Sequence, residues 1–357
     1  MIQLKYSYAL RLFPLAVVAG LIPPFSRGLF WREDWLGAAD FSVVGVALMA
    51  PLCLLTGCLE LIHHRKHGYQ DLWPSRLWRR QVLAFGLVNS LPYLLALLVL
   101  YLVVTVFSIV GHGRFGLLNP WSFLSMVLVI LMASYVGVFV ASKALNYVVA
   151  PLLALLWFAA YNWLGFPYYF FLPGGSTEPL TGYTYNLAFK SIQWLFALSL
   201  ILLSVLGILF PRLWWGFTAG IGGVGVLFTM LFSSSNLGPF VPLPQDSGVC
   251  ENRNGVIVCV AREAEKYLPE VVEEYGLAKS WFDQQGITVN LTRISTFGPD
   301  DPACSDILVV GQRSDTKHIE SVDIESAYVT RMLDCKMISQ SQYQKLQDEI
   351  WLGIKAN

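Results

Sequence analysis

Seven runs of about 20 mostly apolar residues fill the first 235 positions, and nothing else in the chain constrains its fold as tightly. They lie at 12–30, 41–62, 82–110, 121–140, 145–164, 192–210 and 213–232. A run of this length crosses a bilayer as a helix, because a helix satisfies its backbone hydrogen bonds internally where no water is present. Composition points the same way. Only 13% of residues are charged, about half of the ~25% usual in soluble proteins. That excludes a disordered or nucleic-acid-binding chain and disfavours an ordinary soluble enzyme.

The zero net charge conceals a division. Residues 1–235 hold 13 of the 24 Lys and Arg but only 6 of the 24 Asp and Glu. The remainder is polar and acidic. The reading is a polytopic α-helical membrane domain (1–235), a linker (236–244) rich in Pro, and an extracytoplasmic α+β domain (245–357). Lys5 and Arg11 before a short apolar core also fit a signal peptide, but no small-x-small cleavage pattern follows.

Orientation follows from short-loop Lys and Arg. Lys5, Arg11, Arg65, Lys66, Arg76, Arg79, Arg80, Lys143 and Arg212 share one side if there are seven spans; Arg27, Arg32, Arg114 and Lys190 lie opposite. The N-terminus is then cytoplasmic and the C-terminal domain outside. Asp40 and Lys190 read as loop residues, and no Asp, Glu, Lys or Arg falls near the middle of a run. That argues against a charged ion filter or a proton-coupled carrier. Tyr161, Trp163, Phe166, Tyr168, Tyr169, Phe170, Phe171, Tyr183 and Tyr185 read either as an interfacial aromatic belt or as a half-inserted hairpin lining an outer gate or substrate exit. In the last run, Gly216 and Gly220 form a small-xxx-small pair suited to helix packing, within the chain or between subunits.

The largest cytoplasmic loop, 60–80, mixes Arg65, Lys66, Tyr69, Arg76, Arg79 and Arg80 with Trp73 and Trp78. It reads either as a positive-inside anchor or as a docking surface for a cytoplasmic partner. His63, His64 and His67 have helical spacing, but the loop has no Cys and only Glu60 and Asp71 as carboxylates to complete a metal site with them, so no metal is expected.

The segment from Gly57 through Glu60, His63, His64 and Arg65, the basic stretch ending at Arg80, and Pro92 in the third run resemble the export-type ABC transporter permease family of bacteria. A closer likeness is to Gram-positive membrane proteins whose outer domain carries a Cys, then Val-Cys-Val, then a Leu-Pro helix, as at Cys250, Val258–Val260 and Leu268-Pro269. The resemblance implies a homodimeric permease in the bacterial plasma membrane, with Arg65, Lys66, Tyr69, Arg76, Arg79 and Arg80 receiving a separate cytoplasmic ATPase. The usual permease has six spans and a cytoplasmic C-terminus, so the seventh run is a departure. No G-x-x-x-x-G-K-[ST] motif is present. ATP is therefore expected on the partner and no cofactor on this chain. The alternative is a non-transporting receptor or assembly module acting through its outer domain.

That domain holds Cys250, Cys259, Cys304 and Cys335. Asn254-Gly255 predicts a two-residue hairpin turn that sets Cys250 opposite Cys259 in a non-hydrogen-bonded pair, close enough for a disulfide. Cys304–Cys335 follows by elimination. Helices are expected at 263–285, 320–334 and 339–352, and strands at 287–294 and 306–311. His318 is the one histidine here and nothing marks a nucleophile beside it, so no enzyme is expected.

Overall fold

The computed structural model describes residues 7–26, 35–68, 75–112, 119–143, 146–163, 183–234, 240–244, 247–253, 255–296, 307–310 and 321–356. The chain forms two compact units. One comprises Met1–Thr177 with Tyr185–Pro239, the other Glu178–Thr184 with Phe240–Asn357.

A helix stands at each of the seven apolar runs. After a four-residue α1 (Tyr8–Arg11) come α2 (Phe13–Ser26), α3 (Trp35–Lys66), α4 (Ser75–His112), α5 (Pro120–Ala141), α6 (Val149–Trp163), α7 (Leu187–Leu209) and α8 (Trp214–Ser234). Four of them, α3, α4, α5 and α7, are long and apolar enough to cross a membrane; α2, α6 and α8 are shorter and apolar. Pro23-Pro24 does not cut α2 short, since the helix continues to Ser26.

α3 and α5 form the centre. Gly137 of α5 lies against the Leu54 backbone, and a Cβ there would stand 2.5 Å from the Leu54 carbonyl oxygen. Gly45 of α3 approaches Gly20 of α2 as closely. These backbone contacts require glycine, as small residues do between membrane helices. α4 instead turns Leu87, Leu91, Leu95, Leu98, Leu102 and Val106 outward, at spacings of three and four. Such a continuous exposed apolar stripe suits lipid and is unfavourable in water.

Strands β1 (Tyr183–Tyr185) and β2 (Phe240–Pro242) are short. The main sheet has four strands in sequential order: β3 (Val249–Arg253), β4 (Val256–Val260), β5 (Arg293–Ser295) and β6 (Ile307–Val309). β3 and β4 are an antiparallel hairpin, while β4–β5 and β5–β6 are parallel. A 3-10 turn (Arg262–Tyr267) leads into α9 (Leu268–Gln284); α10 (Ser321–Asp334) and α11 (Gln340–Ala356) follow β6. Pro269 therefore begins the helix, where its missing N–H costs nothing. Val258, Ile294 and Leu308 pack with Val272, Tyr275 and Phe282 of α9 and Tyr328 of α10. The strand expected over 287–294 shrinks to three residues. Alternation persists along 287–292, but ladder partners are paired only from Arg293 onward.

Candidate functional site

The described residues of the predicted docking loop divide between exposed and half-buried positions. Arg65, near the end of α3, donates from Nη1 to the Ala141 carbonyl at 2.8 Å, and Arg79, in the second turn of α4, donates to the Leu209 carbonyl at 2.7 Å. Both acceptors are last-turn carbonyls, of α5 and α7, which no intrahelical N–H can reach. A cation there also suits the negative end of the helix dipole. Lys66 places Nζ 4.0 Å from the Tyr147 ring centroid. Lys66 and Arg80 are exposed, whereas Arg65 and Arg79 are half-buried. Tyr69 and the Arg76 side chain lie outside the described residues.

Lys143, just past α5, joins this group. Burial, and then the charges of Arg65 and Arg79, hold its ammonium below the usual lysine range. Glu60 is buried and accepts a hydrogen bond from Ser7 at 2.9 Å. His63 meets the Tyr8 and His67 rings, and His64 the Phe85 ring. Among the described residues, no three His, Cys, Asp or Glu side chains are grouped to hold a metal.

α3, α5 and α7 thus end together at this basic face. At their other ends the structure corrects the sequence reading. Asp40 lies inside α3 and Lys190 inside α7, each 0% exposed, rather than in loops. The Asp40 carboxylate acts electrostatically on Lys190. Lys190 Nζ stands 4.2 Å from the centroid of the Tyr185 ring, and the Ser122 hydroxyl of α5 donates to the Tyr185 hydroxyl. Nearby in sequence, Trp194 Nε1 donates to Ser125 Oγ at 2.8 Å. Buried charge within an apolar bundle is expensive and marks a functional position by default. The sequence signal was present: an acid and a lysine, each within a turn of an apolar run.

A third polar feature ties α3, α4 and α5 together. Asn89 Nδ2 donates to the Cys53 carbonyl and to Ser134 Oγ, both at 2.9 Å, and Asn89 Oδ1 accepts from Thr56 Oγ1 at 2.8 Å. Tyr93 donates to the Leu52 carbonyl, and Ser134 to that of Gly86.

Within the chain, the last helix makes no close backbone approach at Gly216 and Gly220. A Cβ on Gly216 would meet nothing within 4 Å, and one on Gly220 only the Leu203 side chain. The close helix–helix approaches lie at Gly45 and Gly137 instead. Most of the aromatic belt falls at 164–182, outside the described residues; Tyr185 is buried at the charged cluster and Tyr183 is exposed.

In the C-terminal unit, Cys250 and Cys259 are disulfide-bonded, with Cα atoms 4.1 Å apart. Their register runs Cys250 with Cys259 through Arg253 with Val256, around Gly255 at φ +84°. Cys335 is also disulfide-bonded, and Cys304 lies outside the described residues. Cys53 and Cys58 are free and buried.

No protein-family model, curated protein or solved structure matches this chain.

Proposed function

We propose that the chain is the membrane subunit of an ATP-driven exporter for hydrophobic or amphipathic cargo, working as a homodimer with a separate cytoplasmic ATPase. One observation carries this reading: the two longest helices join the basic face to the rest of the bundle. α3 has 32 residues and α4 has 38, or about 48 and 57 Å against a hydrocarbon core of about 30 Å. Their surplus turns carry Arg65, Lys66, Arg79 and Arg80. Lys66 and Arg80 face solvent, where an acidic partner surface would meet them. Arg65 and Arg79 grip the ends of α5 and α7, so a push on the overhang passes directly to two neighbouring helices. In this reading the basic face is cytoplasmic, by the bias of Lys and Arg, and the Asp40–Lys190 cluster lies toward the outer surface.

The test is affinity purification of the full chain from its native membrane in mild detergent. A stoichiometric P-loop ATPase, lost in Lys66→Glu/Arg80→Glu but retained in a variant with two outer-domain charge reversals, is the expected result. Absence of any ATPase, with a reproducible envelope protein held by residues 245–357, would establish the receptor reading. That alternative draws support from the separate apolar core of the C-terminal unit.

A further inference from the structure

The Cys250–Cys259 disulfide has a cation on its sulfurs. Arg293 Nε donates to Cys259 Sγ at 3.1 Å, and Arg293 Nη2 lies 3.5 Å from Cys250 Sγ. Strand geometry puts it there. Val256, Val258 and Val260 face the core with Ile294, so Ile257 and Cys259 face the other way. Parallel pairing sets Arg293 beside Ile257 and Ser295 beside Cys259, which brings the guanidinium along that second face to the disulfide.

The two sulfurs are not equivalent. Cys250 is exposed on edge strand β3, whereas Cys259 is 0% exposed and covered by Leu243. Thiol–disulfide exchange needs one sulfur open to attack and the other able to leave as a thiolate. A guanidinium at the leaving sulfur stabilises that thiolate, as neighbouring cations do at reactive cysteines. The bond is also a weak staple. It links residues nine apart in a hairpin already closed by its turn. In the chain-entropy account it restrains less than the ~3 kcal/mol of a 15-residue loop.

We propose that Cys250–Cys259 is a thiol-exchange site. An external thiolate attacks Cys250 Sγ, the S–S bond breaks, and Cys259 leaves as a thiolate held by Arg293. The product is a mixed disulfide on Cys250. A second thiolate then attacks the external sulfur of that mixed disulfide and frees Cys250. Overall, two external thiols are oxidised to a disulfide, and Cys250 and Cys259 are reduced. In the reverse direction Cys259 attacks the mixed disulfide and expels the external thiolate. The proposal does not depend on the transport reading.

The test uses the full chain in detergent, with reduced glutathione as the thiol, acid quenching, differential alkylation and peptide mass spectrometry. The expected result is opening of Cys250–Cys259 under native conditions, with the trapped glutathione adduct on Cys250. Arg293→Gln should slow opening about tenfold, and Arg293→Lys should keep most of the rate. Unchanged protection of Cys335 in each variant reports that the domain is still folded. Opening only where the domain unfolds, an adduct on Cys259, or an Arg293→Gln rate equal to wild type in folded protein would each overturn the proposal.

Discussion

The two ends of the helical bundle use charge in opposite ways. At the basic face, Arg65 and Arg79 stay half-exposed and spend donors on the Ala141 and Leu209 carbonyls. Water remains available to them, so each contact is worth little and loses little if broken. At the other end Asp40 and Lys190 have no exposure at all. There each charge is expected to depend on the other, because the desolvation cost of a lone buried ion exceeds what packing returns. Charged side chains are adaptable grips at one end and fully buried at the other.

The largest expected effect comes from breaking that dependence. Lys190→Met removes the buried cation on which the Asp40 charge acts and should cost about 3–5 kcal/mol. The double variant Asp40→Asn/Lys190→Met should recover most of it, in a cycle read by thermal unfolding in detergent. A double variant no more stable than the single one would show that the two residues do not depend on one another. Asn89→Ala removes three hydrogen bonds between α3, α4 and α5 and should cost roughly 2 kcal/mol by the same measurement.

Glu325 extends the comparison to a buried acid outside the bundle. Burial, and then the Glu274 charge, push its carboxyl up to about 7. The folded state therefore holds this proton more tightly than the unfolded chain does. The contribution to stability is full below about pH 4.5 and is lost as pH rises to about 7. Hydrogen exchange of α9 and α10 in the full chain should quicken across that window, and Glu325→Gln should flatten the profile. The gain at pH 8 should be on the order of 1–2 kcal/mol after solvent screening. The smallest effect belongs to the basic face: Arg79→Met should cost about 1 kcal/mol through loss of the α7 cap, with Arg80→Glu near zero. A cost at Arg79 as large as that at Lys190 would erase the distinction between the two ends.

Some features follow from local pattern alone. The seven helices appear where the apolar runs lie, since apolar length specifies a helix whatever its neighbours. The β3–β4 register follows from Asn254-Gly255, because a two-residue turn determines every pair behind it. With that register comes the Cys250–Cys259 pairing. α10 and α11 likewise begin within a residue of their expected starts.

What tertiary structure decided concerns partners distant in sequence. Nothing near Arg65 or Arg79 announces Ala141 or Leu209, which lie 76 and 130 residues away. Asp40 and Lys190 read as loop residues because a charge beside an apolar run normally faces water; their burial is settled only when the helices pack. Arg293 met the disulfide through a parallel pairing that no turn encodes. Spacing along the chain determines helices and hairpins because both are local geometry. The pairing of buried charges, of helix caps and of a cation with a disulfide is decided when those elements pack, since its energy exists only between them.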